Sequence, residues 1–165
     1  PTSDPESPYY NSGAGWEPIG NSSTAFTGTY DGGGHSVDGL FINRGSLIGV
    51  GLFGYMNAAT VQNLAVTNAN VTGQQRVGAL IGSADTNTTI TGCSSTGAVD
   101  SAYTNIVRIG GLVGSLQSAG ATCTDCWSSV TVTCASGWRV GGLIGQMWGG
   151  QFGIALLRDG GCDEY

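Results

Sequence analysis

Large apolar residues in this chain fall in short clusters that each end in glycine: Leu52-Phe53-Gly54, Leu80-Ile81-Gly82, Leu112-Val113-Gly114 and Leu143-Ile144-Gly145. The closing glycines recur every 28 to 32 residues. Between the clusters, segments 60–73, 89–101 and 122–136 carry β-branched and small apolar residues interleaved with Thr, Ser, Asn and Asp. Aligned on one another, Val61, Ile90 and Cys123 share a position, as do Leu64, Cys93 and Cys126, and Val99 with Val132. Short segments of this kind, bounded by Gly, Asn, Asp and Ser, predict strands. A unit of about 30 residues with two or three short strands cannot bury its own apolar face, but stacked in register on like units it can. The pattern therefore predicts an all-β, right-handed parallel β-helix (a β-solenoid), with its hand set by the preference of parallel crossovers. The runner-up, a β-propeller, has blades of 40 residues or more, longer than this period.

The two ends depart from the repeat. Residues 15–42 alternate around an Asp-Gly-Gly-Gly-His turn and are expected to form an atypical first coil, as capping repeats do. Residues 151–165 also break the pattern. The expected organisation is an N-terminal extension over 1–14, the solenoid over 15–146, and a C-terminal cap or tail over 147–165.

The quoted residues resemble the GLUG motif of bacterial and archaeal surface proteins. The leader is similar at Gly15-Trp16, Pro18-Ile19-Gly20, Phe26, Gly28, Asp31-Gly32 and Gly34-His35, and is followed by the four clusters ending at Gly54, Gly82, Gly114 and Gly145. The resemblance spans roughly residues 15–146. It implies a β-solenoid on an exported protein, of the sort found in filamentous adhesins and beside IgA-cleaving metallopeptidases, and it supplies no catalytic residues.

Composition narrows the function. Charged residues make up 10% of the 165, lysine is absent and the net charge is −6, which argues against nucleic acid, whose recognition needs a basic footprint. No apolar run approaches the length of a membrane helix, so no membrane insertion is expected. The start at Pro1, without Met or a signal peptide, reads as a processed, secreted product. The sequons at Asn21, Asn70 and Asn87 matter only in a glycosylating host. The pairing of the five cysteines, Cys93, Cys123, Cys126, Cys134 and Cys162, does not follow from spacing. Cys93 and Cys126 read as a buried ladder, with a disulfide between them as an alternative.

Candidate chemistry is sparse. The acids are scattered and none stacks on another in adjacent repeats, so no carboxylate pair suits glycoside chemistry. His35 has no ligand-spaced partner and is assigned a local role in its turn. No catalytic, cofactor or metal residue is predicted. One repeat position stands out: Arg76, Arg108 and Arg139 each precede a Val/Ile-Gly step. These three form a predicted stripe for subunit contact, with the acidic ends of a neighbouring copy (Asp4 and Glu6, or Asp163 and Glu164) as its expected anion. The expected function is a non-catalytic extracellular or cell-surface structural protein that assembles with copies of itself, head to tail, into filaments or a surface layer. The alternative is an adhesion module for surface glycan or host protein. A minor alternative is ice binding through the column Thr60, Thr89, Thr122.

Overall fold

The computed structural model describes residues 2–135 and 139–149, together with the backbone of Gln151–Phe152 and Leu156–Leu157. It is a parallel β-solenoid of about four turns, with almost no helix. Each turn visits four faces in the same order. Face one stacks Ile48–Val50, Gln75–Val77, Ile109–Gly110 and Val140–Gly141. Face two stacks Phe53–Met56, Ile81–Ala84, Val113–Leu116 and Ile144–Met147. Face three stacks Thr29–Asp31, Thr60–Gln62, Thr89–Thr91, Thr122–Thr124 and Gln151–Phe152. Face four carries the long strands Ala65–Thr72, Ser94–Ser101 and Trp127–Cys134, preceded by Ser36–Asp38 and Phe41–Asn43 and followed by Leu156–Leu157.

Every neighbouring pair within a face is parallel, and the columns expected from the sequence are the observed register. Val61 pairs with Ile90 and Ile90 with Cys123, and Val71, Val99 and Val132 run along face four. These positions point inward. In Trp127–Cys134 burial alternates with period two up to its last residue, as a strand with one dry side requires. The core is one continuous cluster in which Phe53, Ile81, Val113, Ile90, Leu112 and Leu116 are fully buried. The coils differ by one residue where Asn68, at φ 52°, bulges between face-four strands and the register shifts between Ser95 and Gly97.

The glycines that close the four clusters have a steric cause. Face two crosses directly onto face one of the preceding coil, backbone to backbone. A Cβ on Gly114 would sit 2.5 Å from the Arg76 carbonyl carbon, and one on Gly145 would sit 2.5 Å from the Ile109 nitrogen. Only a residue without a side chain lets the two sheets meet there.

Residues 15–43 form the first coil. Ile19 and Phe26 bridge in parallel to Phe53 and Met56, and Thr29–Asp31 and Ser36–Asp38 pair with the next coil. The turn between them is closed by one side chain and its own backbone: Gly33 N–H donates to the Asp31 carboxylate (Oδ1) at 2.9 Å and His35 N–H donates to the Gly32 carbonyl at 2.9 Å. The local role expected of His35 thus falls on its main chain. Residues 2–16 fold across this coil. Thr2 Oγ1 accepts from the Phe41 N–H at 2.7 Å, and Trp16 Nε1 donates to the Leu52 carbonyl at 3.2 Å.

Candidate functional site

Arg76, Arg108 and Arg139 stand in one column on face one. The register fixes this: Ile109 pairs with Val77 on one side and with Val140 on the other, so the residues before them stack. The backbone agrees, since Val77 N–H donates to the Arg108 carbonyl and Ile109 N–H to the Arg139 carbonyl, each at 2.9 Å. Val77 and Ile109 point inward and are fully buried, which turns the arginines outward, where all three are half-buried. In-register strands lie about 4.8 Å apart, so the column offers one guanidinium per coil at that rise.

The ladder lies alongside a column on face two: Tyr55, Ser83, Ser115 and Gln146. The Arg76 guanidinium sits over the Tyr55 ring, 5.9 Å from its centre. Arg108 Nε donates to Gln146 Oε1. Ser83 accepts from Gln117 Nε2 at 2.7 Å. The Arg76 Nε and the Ser115 hydroxyl are buried with no hydrogen-bond partner. The next outward positions of face two carry Asp85, Gln117 and Trp148, in register through the pairing of Ala84, Leu116 and Met147. Trp148 is 63% exposed.

Electrostatically the ladder is a site of concentrated positive charge. Partial burial and then the charges of Arg76 and Arg139 push Arg108 below the ordinary arginine range. Burial holds the Asp85 carboxyl above the usual carboxylate range, with Arg76 opposing that shift. The chemistry available is anion recognition by guanidinium donors, with the Tyr55 ring under Arg76 and the exposed Trp148 two residues beyond Gln146.

The remaining sequence candidates resolve one by one. Cys93, Cys123 and Cys126 are buried free thiols in the core ladder. The Cys93 thiol donates to the Thr91 carbonyl at 3.3 Å and the Cys126 thiol to the Thr124 carbonyl at 3.1 Å, while Cys93 N–H donates to the Cys126 sulfur at 3.4 Å. The Cys126 sulfur, then burial, pushes the Cys93 thiol far up. Cys126 is pushed up to about 12, chiefly by its hydrogen bond with Cys123. Such thiols act as small hydrophobes rather than nucleophiles. Cys162, Asp163 and Glu164 lie outside the described residues. The threonine column extends to Thr29, which pairs with Thr60. The sequon residues Asn21, Asn70 and Asn87 are all exposed. No group of three His, Cys, Asp or Glu side chains is placed to hold a metal ion among the described residues, and no helix is long and apolar enough to cross a membrane.

Sequence reasoning placed the three arginines together and put Trp148 in register with Asp85 and Gln117, as an aromatic for sugar stacking or packing, but missed Gln146. Gln146 lies one coil away from Arg108, and only the register brings the two together.

Residues 73–100 match the family model of the GLUG motif. This chain carries a GLUG motif. In the structure the matched stretch is one complete turn, from Gly73 through all four faces to Asp100. The GLUG repeat is therefore the coil itself. Over 112 residues the chain is 40% identical to "Halomucin" of Haloquadratum walsbyi, a match covering 66% of this chain and 1% of that protein. Over 74 residues it is 40% identical to a "Putative Gly-rich membrane protein" of Evansella cellulosilytica, covering 42% of this chain and 9% of that one. The chain thus spans only a small part of either relative. No solved structure gives a significant match.

Proposed function

We propose that this GLUG solenoid is a non-catalytic structural module of an extracellular or cell-surface protein, and that copies of it join end to end into filaments or a surface layer. The observation that carries the reading is the state of the first coil. Among the described residues Thr29–Asp31 and Ser36–Asp38 each pair with a strand on one side only, and Thr29, Tyr30 and Asp31 are all exposed. Unpaired strand edges are templates for another chain. Beside them a cavity of about 440 Å³ lies between the first coil and residues 2–16, lined by Thr2, Tyr9, Trp16, Tyr30, Leu40 and Phe53, among others. A second solenoid docked there pairs the free edges and covers the exposed rings of Tyr9 and Tyr30 at once. The contact joins unlike ends, so it propagates rather than closing on itself.

Blocking one edge tests this. Sedimentation velocity over a concentration series is expected to show growing species for the native chain and a monomer for Thr29→Pro, since proline removes the donor that an added strand needs. Equal behaviour of the two chains would contradict the reading.

A further inference from the structure

We propose that the arginine ladder, with Gln117 and Trp148 beside it, binds a linear anionic glycan laid along the solenoid axis, one that carries a carboxylate or sulfate on successive sugars. The ladder runs down the side of the coils, not across an end, so this inference stands apart from end-to-end assembly.

Four observations converge on it. Arg76, Arg108 and Arg139 are held in one register column, which repeats positive charge at about 4.8 Å. That is close to the advance of one sugar ring along an extended polysaccharide. Next, the donors are underused. A guanidinium offers five N–H groups; Arg108 directs its Nε to Gln146 and the Arg76 Nε has no partner. The buried Ser115 hydroxyl in the adjoining column is also unpartnered. Then the ladder's charge is relieved only at its Arg76 end, by Asp85; the groups acting on Arg108 are burial and two further arginines. An anion removes that cost. Finally, Trp148 is 63% exposed in the same register as Asp85 and Gln117, and offers a flat apolar face to a sugar ring while Gln117 brings an amide.

Calorimetric titration of the full chain with oligogalacturonate, neutral maltohexaose and poly-L-glutamate tests the proposal. Oligogalacturonate alone is expected to bind, with affinity that falls as salt rises. Arg108→Gln and Arg139→Gln are each expected to weaken it about tenfold, the loss of one charge-assisted hydrogen bond. Trp148→Ala is expected to weaken it too, and Asp85→Asn to strengthen it. Arg139→Gln decides the matter if Arg108→Gln disturbs folding through Gln146; circular dichroism melting shows which is the case. Absence of oligogalacturonate binding, or affinity unchanged in Arg139→Gln, overturns the proposal. Equal or tighter binding of poly-L-glutamate overturns it in favour of an acidic protein partner.

Discussion

At the scale of single residues, the corner between faces three and four shows why particular types stand where they do. Asn63, Gly92 and Asp125 occupy equivalent places, each one residue beyond a face-three strand, and all have left-handed backbone, with φ of 54°, 60° and 53°. Gly, Asn and Asp reach this region at low cost, and β-branched residues do not. Asp125→Val is expected to cost about 1–2 kcal/mol, and Asp125→Gly little, a contrast that thermal melting of the two variants reads directly. These corners were visible in the sequence only as polar punctuation. The closing glycines were plain in it, because their cause, two backbones in contact, repeats with the coil. The bulge at Asn68 breaks the alternation, with two outward residues, Thr67 and Asn68, between the buried Val66 and Ala69, and in the sequence alone that step reads as no more than a polar pair.

At the scale of the element, each strand is short and depends on its neighbours above and below. The columns were readable because in-register parallel pairing turns a sequence period into a spatial ladder: Val61, Ile90 and Cys123, or the three arginines. Side chains that reach across coils were not readable, as Gln146 against Arg108 illustrates. The first coil relies on such cross-coil bonds. Asp31 is held below the usual carboxylate range by the Gly33 N–H first, then by Gln62 and Asn63. Asp38 is held low by Thr67, then Asn68. A carboxylate whose folded pKa is depressed contributes stability above its unfolded value, about 3.9, and that contribution is lost as pH falls through the folded value. The first coil is therefore expected to loosen below about pH 4. Asp85 acts in the opposite sense, since burial raises it and acid relieves the cost of its charge. Hydrogen exchange tests this through protection factors: those of residues 28–43 should fall relative to those of residues 89–101 between about pH 5 and pH 3. Equal change in both stretches would contradict the account.

At the scale of the whole molecule, a solenoid has sides and ends, and the two do different work. The sides carry ladders of like residues, of which the arginine column is the charged one. Among the described residues the first coil carries strands paired on one side only, and the proposed end-to-end joining rests on them. The repeat made the fold legible, because a unit that cannot bury its own apolar face must stack. The state of the ends was not legible, because capping depends on how residues 2–16 cross the first coil, and no period encodes that. The most direct test of end-to-end joining is negative-stain electron microscopy of the purified chain. The account predicts unbranched filaments one solenoid wide that lengthen with protein concentration. A field of uniform, separate particles at every concentration would contradict it.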